Sequence, residues 1–231
     1  MADLVVYGTP LSPFVRKVEV VLREKGLEYD FENVNIMAKP DWFLEISPAG
    51  RIPVLRDRSI GAEGVPGTVP DSSAICGYLE RKVATPRLYP EDAYEYGRAL
   101  WFEEYADSEM AGDIGLGIFR PLLFPRFQGK ESDVATARTT FRERLPRHFD
   151  YLERSLDGGR FLVGDRLTIA DIAVACSLSQ LDLVAGPPDA ARWPALMAHY
   201  AAVKELAGFS ANLAVCGKML ARPLPEKVDL A

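Results

Sequence analysis

The sequence predicts a mixed α/β region followed by an all-helical region. Over roughly the first eighty residues, short apolar runs of strand length alternate with segments whose apolar residues recur at helical spacing. Beyond them only the helical spacing continues. Because one part mixes strands with helices and the other contains helices alone, we expect two domains. We place them at residues 1–84 and 92–231, joined by a linker at 85–91.

The first predicted strand is the apolar run Leu4–Tyr7, which the turn-forming residues 8–10 end. A helix is predicted from Pro13 to Lys25, because apolar residues spaced by four form one stripe along it. The positions of this stripe are Phe14, Val18 and Leu22.

The other elements of the first region follow from the same patterns. They are a strand at 29–34, a short helix at 40–46, a strand at 53–55, an edge strand at 68–70 and a helix at 71–81. The polar, glycine-containing stretch before the edge strand is typical of a hairpin loop. The predicted order is therefore βαβαββα.

Helical patterns fill the second region. One apolar stripe runs from Phe141 to Leu156, and Pro146 within it is expected to kink the helix. The segment Ile169–Leu183 is apolar almost throughout, which is typical of a helix buried at the centre of its domain.

The formal net charge of −6 argues against nucleic acid as a partner, because binding phosphates requires a basic surface. Arginines are frequent between Arg138 and Arg154, but Glu143, Asp150 and Glu153 are interleaved with them. Such a mixture is typical of a solvated helix face.

The three cysteines are far apart in the sequence and the two histidines lack metal-ligand spacing, so we expect neither a disulfide framework nor a metal site. No apolar run approaches the ~20 residues of a membrane span. The N-terminus lacks the pattern of a secretory signal. We therefore expect a cytoplasmic protein that has no membrane partner.

A serine flanked by prolines lies between the first strand and the first helix, within TPLSPFVR at residues 9–16. Ser12 followed by Pro13 is a frequent helix start, with the serine as N-cap. The same position suits an anion, because the first turn of a helix carries partial positive charge. The two interpretations are compatible.

Two more motifs are SPAGRIPVL at residues 47–55 and DSSAI at residues 71–75. By itself, the second predicts a capped helix start with Ser72 as N-cap. Asp71 and Ser72 also suit a zwitterionic amino acid. The carboxylate would pair with its ammonium group, and the hydroxyl and helix start would bind its carboxylate.

A fourth motif is LTIADI at residues 167–172, which has the form of a capping box between Thr168 and Asp171. Leu167 and Ile172 are placed for a hydrophobic staple around it. We assign this motif a role in folding and none in chemistry.

Together and in this order, the four motifs resemble the cytosolic glutathione transferases, and more narrowly the serine-type members with tau-, omega- and zeta-like relatives. The resemblance implies a thioredoxin-like first domain and an all-helical second domain. It also implies glutathione as co-substrate, a cis peptide bond before Pro53 and a homodimer.

In this family a side-chain hydroxyl donates a hydrogen bond to the glutathione sulfur, and the resemblance gives this role to Ser12. Tyr7 is the alternative, since other classes use a tyrosine at the end of the first strand. A hydrogen bond to a charged group contributes about 1.5–3 kcal/mol, which lowers a thiol pKa by about 1–2 units. Omega relatives carry cysteine in place of Ser12, so thiol–disulfide exchange through a mixed disulfide is disfavoured here.

The resemblance assigns the rest of the glutathione site by position. Asp71 and Ser72 would hold the γ-glutamyl end, and the backbone of Ile52, next to Pro53, would pair with the cysteinyl residue. Two basic residues are candidates for the glycine carboxylate, or else exposed surface charges. They are Lys39 and Arg51.

The pocket for an apolar electrophile would take walls from both domains, although aromatic residues at helical spacing often belong to the core. The candidate wall residues are Leu11, Phe14, Tyr105, Glu109, Met110, Phe119 and Phe209. The activity that the resemblance implies is conjugation of the glutathione thiolate to an electrophilic carbon. The alternatives are glutathione-dependent isomerisation or dehalogenation, and a non-catalytic ligand-binding role.

Overall fold

The computed structural model describes residues 2–230, which divide into two compact units. One unit comprises the chain as far as Leu88 together with Leu206–Asn212. The other comprises Tyr89–Glu205 and the chain from Leu213 onward. The boundaries at residues 84 and 92 stay predictions. The grouping of Leu206–Asn212 with the first unit was not expected from the sequence.

Four strands form the sheet of the first unit, in the spatial order β2-β1-β3-β4. Their bounds are β1 (Leu4–Gly8), β2 (Tyr29–Asn33), β3 (Val54–Asp57) and β4 (Thr68–Pro70). β1 and β2 run parallel, whereas β3 runs antiparallel to both of its neighbours. A small mixed sheet with helices, followed by a helical part, confirms the predicted fold class.

The helices of the first unit are α1 (Pro13–Glu24), α2 (Asp41–Ile46) and α3 (Ser72–Lys82). In α1, Val18 and Leu22 are fully buried as predicted, but Phe14 is only half-buried. Val15 takes its place against the sheet. A Cβ atom added to Gly8 would lie 2.5 Å from Val15 Cγ2, so α1 packs directly on the end of β1.

Seven further α-helices lie in the described residues after Tyr89. They are α4 (Ala93–Tyr105), α5 (Arg120–Phe127), α6 (Val134–Glu143), α7 (Leu145–Leu156), α8 (Ile169–Ala185), α9 (Pro194–Lys204) and α10 (Ala207–Leu220). α8 is buried at almost every position, which confirms the prediction of a central apolar helix.

The connection between α4 and α5 is π-helical, which the sequence analysis did not predict. Two segments, Ala106–Met110 and Gly112–Phe119, carry the wider helix. A Cβ atom on Gly117 would lie 2.6 Å from Thr140 Cγ2, so α6 can approach this backbone only because the residue is glycine.

The predicted kink at Pro146 is a boundary between two helices instead. α6 ends at Glu143 and α7 begins at Leu145, so Pro146 lies in the first turn of α7. A proline is well accommodated there, because the first backbone N–H groups of a helix have no intrahelical acceptor.

The capping box at the start of α8 is confirmed. Asp171 Oδ2 accepts hydrogen bonds from the backbone N–H of Thr168 at 2.8 Å and from its hydroxyl at 3.0 Å. Asp171 Oδ1 accepts from the backbone N–H of Leu162 at 2.8 Å. One buried carboxylate therefore ties the preceding loop to the central helix.

Asp57, at the end of β3, joins the sheet to α3. Its Oδ2 atom accepts from Lys82 Nζ and from the Tyr78 hydroxyl, each at 2.6 Å. Its Oδ1 atom accepts from the backbone N–H of Ser59 at 3.0 Å. Burial opposes ionisation, but hydrogen bonds from Lys82, Ser59 and Tyr78 outweigh it and hold the pKa of the Asp57 carboxyl well below its usual range.

The substitution Asp57→Asn is expected to lower the free energy of unfolding by about 2–3 kcal/mol at pH 7. Because the folded-state pKa is depressed, the carboxylate contributes fully above the unfolded pKa of about 3.9 and loses its contribution as pH falls toward the folded value. Urea unfolding measures the difference in the free energy of unfolding between wild type and variant. This difference should be about 1 kcal/mol smaller at pH 3 than at pH 7. An equal difference at both pH values would contradict the depressed pKa of Asp57.

Candidate active site

The strand register brings three loops to the same end of the sheet. Tyr7 of β1 lies beside Val54 of β3, and Val54 lies beside Pro70 of β4. The segment that follows β1, the one that precedes β3 and the one that follows β4 therefore start from neighbouring positions. These segments carry three of the sequence motifs, and α1 and α3 both begin at this end.

Ser12 is the N-cap of α1, as predicted. Its backbone is extended (φ −77°, ψ 128°), and its Oγ atom accepts from the backbone N–H of Val15 at 3.4 Å. The residue is half-buried. The cap bond is long, so the hydroxyl is only weakly held and its proton is not used by that bond.

The peptide bond between Ile52 and Pro53 is cis, as the resemblance implied. Ile52 is half-buried and packs against the core cluster that Val5 and Phe43 belong to. Within residues 2–230, the backbone N–H and C=O groups of Ile52 have no backbone hydrogen-bond partner. They are therefore available to pair with a bound extended peptide.

Asp71, not Ser72, is the N-cap of α3. Asp71 Oδ1 accepts from the backbone N–H groups of Ser73 at 2.9 Å and Ala74 at 3.2 Å. The prediction of Ser72 as N-cap was wrong because both residues are good caps and the backbone favours the first. Asp71 has φ +81°, a strained conformation for a residue other than glycine. Such strain is concentrated at functional sites.

Ser72 occupies the first position of α3 and is buried. The next residue, Ser73, meets a buried cation, since Lys17 Nζ of α1 donates to Ser73 Oγ at 3.0 Å. Lys17 has no accessible surface. The start of α3 therefore combines the partial positive charge of a helix N-terminus with a nearby buried cation, which suits a carboxylate.

The two predicted basic residues differ in their surroundings. Lys39 is half-buried and its side chain passes Gly50, where an added Cβ atom would lie 3.8 Å from Lys39 Cδ. Arg51 is exposed, but its backbone is fixed by Ser47. Ser47 Oγ accepts from Arg51 N at 3.1 Å and donates to Arg51 O at 2.7 Å.

Tyr7 lies on the face of the sheet that α2 covers. Its ring belongs to the cluster of Val5 and Phe43 and meets Trp42 edge-on, with ring centroids 5.4 Å apart. Its hydroxyl accepts from Arg56 Nε at 3.3 Å, and only 7% of the residue is exposed. The hydroxyl is thus directed into the protein.

A polar network that the sequence analysis missed holds the turn before Ser12. Arg16 is fully buried, and its Nε atom donates to Asn212 Oδ1 at 2.6 Å. Arg16 Nη2 and Asn212 Nδ2 both donate to the carbonyl of Pro10, at 3.4 and 3.3 Å. Asn212 Nδ2 also donates to Glu19 Oε2 at 2.6 Å. The basic pair at residues 16–17, on the helix that carries the buried stripe, was the available signal.

The predicted pocket residues are distributed over both units. Leu11, Phe14 and Phe209 belong to the first, and Tyr105, Glu109, Met110 and Phe119 belong to the second.

Burial separates these residues into two groups. Met110 and Phe209 have no accessible surface, Phe119 keeps 4% and Leu11 keeps 7%, so these four side chains are packed in the core. Their part in a pocket stays a prediction. Phe14 and Tyr105 are half-buried and Glu109 is exposed, which a ligand-contacting role requires.

Within residues 2–230, no group of three or more histidine, cysteine, aspartate and glutamate side chains is arranged to hold a metal ion. None of the helices in that part of the chain combines the length and apolar character that a bilayer crossing requires.

Family models match the chain in two places. The glutathione S-transferase N-terminal domain matches residues 6–87, and the C-terminal domain of the same family matches residues 133–202. The uncharacterized GST-like protein YibF of Escherichia coli K12 is 33% identical over 175 residues, which are 76% of this chain and 80% of that protein. The chain belongs to the glutathione S-transferase family.

Other members extend the likeness. Glutathione S-transferase omega-1 of Mus musculus is 29% identical over 170 residues, which cover 72% of this chain and 62% of that protein. The crystal structure of a glutathione S-transferase from Rhodospirillum rubrum F11 superposes with a TM-score of 0.80 at 31% identity and covers 91% of each chain. As a member of this family, the protein has a glutathione-binding type of fold.

Proposed function

We propose that this glutathione S-transferase catalyses attack of the glutathione thiolate on a hydrophobic electrophile. The observation that carries the proposal is the meeting of three motifs at one end of the sheet. Ser12 begins α1 there, the cis bond precedes Pro53, and the strained Asp71 caps α3. Together they offer a hydroxyl donor, an unpaired backbone and an acidic residue beside a helix start.

Ser12 is the proposed donor to the sulfur. A thiol near pH 7 is mostly protonated, and the thiolate is the reactive form. A hydroxyl hydrogen bond worth about 1.5–3 kcal/mol would lower the thiol pKa by about 1–2 units. The N-terminus of α1 adds to this effect. The burial of Tyr7 and its bond to Arg56 support Ser12 over Tyr7.

The proposed orientation of glutathione follows the available groups. Asp71 uses Oδ1 for the helix cap, which leaves Oδ2 for the ammonium of the γ-glutamyl end. Ser72 and the start of α3 would bind its carboxylate. The Ile52 backbone would pair with the cysteinyl residue, and Lys39 and Arg51 are proposed for the glycine carboxylate.

The oligomeric state and the cellular location of the protein stay predictions. A homodimer and a cytoplasmic site of action are proposed from the family resemblance and the sequence patterns. Sedimentation of the purified protein as a single chain would contradict the dimer.

Asp71→Asn is expected to weaken glutathione binding by about 10- to 100-fold, because it removes a charged partner of the ammonium group. Asparagine caps a helix as well as aspartate does and tolerates positive φ, so α3 should stay intact. Isothermal calorimetry with glutathione measures the change.

Asp92→Asn is the matched control. Asp92 caps α4 with the same pair of hydrogen bonds on an unstrained backbone, since its Oδ1 atom accepts from Tyr94 N at 2.9 Å and Glu95 N at 3.0 Å. This variant should bind glutathione like wild type. Equal binding by both variants would remove Asp71 from the site. Binding without turnover of an activated aryl halide would favour glutathione-dependent isomerisation or dehalogenation, or a non-catalytic role.

A further inference from the structure

A chain of three polar side chains runs through the helical unit. The Tyr105 hydroxyl lies 2.6 Å from His148 Nδ1, and His148 Nε2 lies 2.9 Å from Asp113 Oδ2. Two arginines hold the carboxylate. Arg144 Nη2 is 2.6 Å from Asp113 Oδ1, and Arg147 Nη2 is 3.1 Å from Asp113 Oδ2. The π-helical segment after Tyr105 places Asp113 within reach of α7.

The direction of the hydrogen bonds follows from the chemistry of the groups. A carboxylate paired with two guanidinium groups only accepts, so His148 Nε2 carries the proton. In a neutral imidazole the other nitrogen is then bare, and His148 Nδ1 accepts the O–H of Tyr105. Among residues 2–230, Tyr105 Oη has no hydrogen bond besides the one to His148, so its lone pairs remain for an outside donor.

His148 is buried, with 1% of its side chain accessible. Burial lowers the pKa of His148, and the hydrogen bond to Asp113 offsets this only in part. Besides Asp113 and its partner Arg144, the charged groups Arg147 and Glu109 lie near His148, 3.6 Å from each other. The lowered pKa favours the neutral imidazole, whose bare Nδ1 can accept the hydrogen bond of Tyr105.

Aromatic rings surround Tyr105, the solvent-facing end of this hydrogen-bonded series. Tyr105 is half-buried and its ring centroid lies 5.8 Å from that of Trp101, which is 47% exposed. The ring of Tyr151 lies 5.0 Å from that of Tyr105, and its hydroxyl accepts from Trp101 Nε1 at 2.7 Å. A flat ligand would contact an aromatic surface and one phenolic oxygen, Tyr105 Oη, that can accept a hydrogen bond.

A polar chain of this kind also links the end of α4 to α7, which is a purely structural role. Two features go beyond that role. Tyr105, the outer residue, is half-buried and not fully enclosed. Each residue also donates its hydrogen bond inward, Tyr105 to His148 and His148 to Asp113. A structural link needs neither feature.

We propose that Tyr105 accepts a hydrogen bond from the hydroxyl group of an aromatic co-substrate, with His148 and Asp113 as the groups that position it. No proton changes owner in this arrangement. The ligand O–H donates to Tyr105 Oη while Tyr105 donates to His148 Nδ1, and each hydrogen bond strengthens the next. The inference rests on the proposed function only in taking Tyr105 as part of the electrophile pocket.

The test compares 2-naphthol with its methyl ether, 2-methoxynaphthalene, in the absence of glutathione. The two probes have similar shapes and the same aromatic rings, but only the naphthol can donate a hydrogen bond. The ratio of the ether Kd to the naphthol Kd should fall by about 5- to 10-fold on Tyr105→Phe, because one hydrogen bond is lost. Tyr200→Phe is the control. It removes a buried hydroxyl that pairs with Asp182 in the same unit, and it should leave the ratio unchanged.

A measurement on wild type alone covers the case in which Tyr105→Phe does not fold. The chain has two histidines, so ¹⁵N labelling of histidine gives two imidazole signal sets. Naphthol should shift the His148 Nδ1 signal upfield, because Tyr105 then donates a stronger hydrogen bond to it, while His199 serves as internal reference and the ether has no such effect.

An unchanged Kd ratio in Tyr105→Phe, equal responses of His148 to both probes, or no binding of either probe would overturn the inference. Glutathione takes no part in these measurements. A failure of the proposed glutathione chemistry would therefore be recognised separately.

Discussion

Ser12→Ala is expected to lower kcat/KM for glutathione conjugation by about 10- to 100-fold at pH 7. The variant loses the hydroxyl that would stabilise the thiolate, so the thiol pKa rises by about 1–2 units and the reactive fraction falls accordingly. The deficit should shrink as pH rises, because the thiol then ionises without help. A full pH profile with an activated aryl halide measures both effects.

Stability should change little in this variant. The cap bond of Ser12 is 3.4 Å long, and Pro13 presets the first turn of α1. Ser12→Thr, which keeps a hydroxyl, serves as the matched variant and should retain most of the activity. Tyr7→Phe should retain it as well. A large loss in Tyr7→Phe with none in Ser12→Ala would assign the sulfur contact to the tyrosine instead.

Asp171→Ala is expected to lower the free energy of unfolding by about 3–5 kcal/mol. The carboxylate has no accessible surface and accepts three hydrogen bonds, two from Thr168 and one from Leu162. Alanine leaves two buried backbone N–H groups without acceptors and removes the Asp171 half of the capping box that begins the central helix. Nothing nearby can replace the carboxylate, since His199 Nε2, 3.7 Å from Asp171 Oδ1, cannot accept for both groups.

Asp133→Ala provides the comparison for this loss. Asp133 caps α6 by accepting from the backbone N–H of Thr136 at 3.1 Å, but it is exposed to water. Its removal should lower the free energy of unfolding by much less than the loss of Asp171 does, because water can replace an exposed cap. Denaturant unfolding followed by far-ultraviolet circular dichroism compares the two variants. Equal losses would mean that the Asp171 network is no more than an ordinary helix cap.

Local signals in the sequence were sufficient for most of the first unit. The run Leu4–Tyr7, the pair Ser12 and Pro13, and the capping box of α8 each act within a few residues, so their structure was predictable. The choice between Asp71 and Ser72 as the N-cap of α3 could not be predicted, because both residues cap well. Asp71 caps the helix with a positive φ, and this conformation belongs to the connection between β4 and α3.

Features that depend on distant contacts were missed. Asn212 reaches Arg16 across 196 positions in the sequence, and no spacing rule relates the two. His148 is 43 positions from Tyr105 and 35 from Asp113, and a π-helical segment brings them together. The burial of Met110 and Phe209 likewise depends on tertiary packing, which apolar patterns do not distinguish from a pocket wall.

This protein is expected to bind glutathione, and Ser12 is expected to stabilise its thiolate. The most direct measurement is a pH titration of the ultraviolet thiolate absorbance of bound glutathione in wild type and in Ser12→Ala. The bound thiol should titrate at least about one unit below free glutathione in wild type and return toward the free value in the variant. Identical titrations in the two proteins, or a bound thiol that titrates like the free one in wild type, would contradict the account.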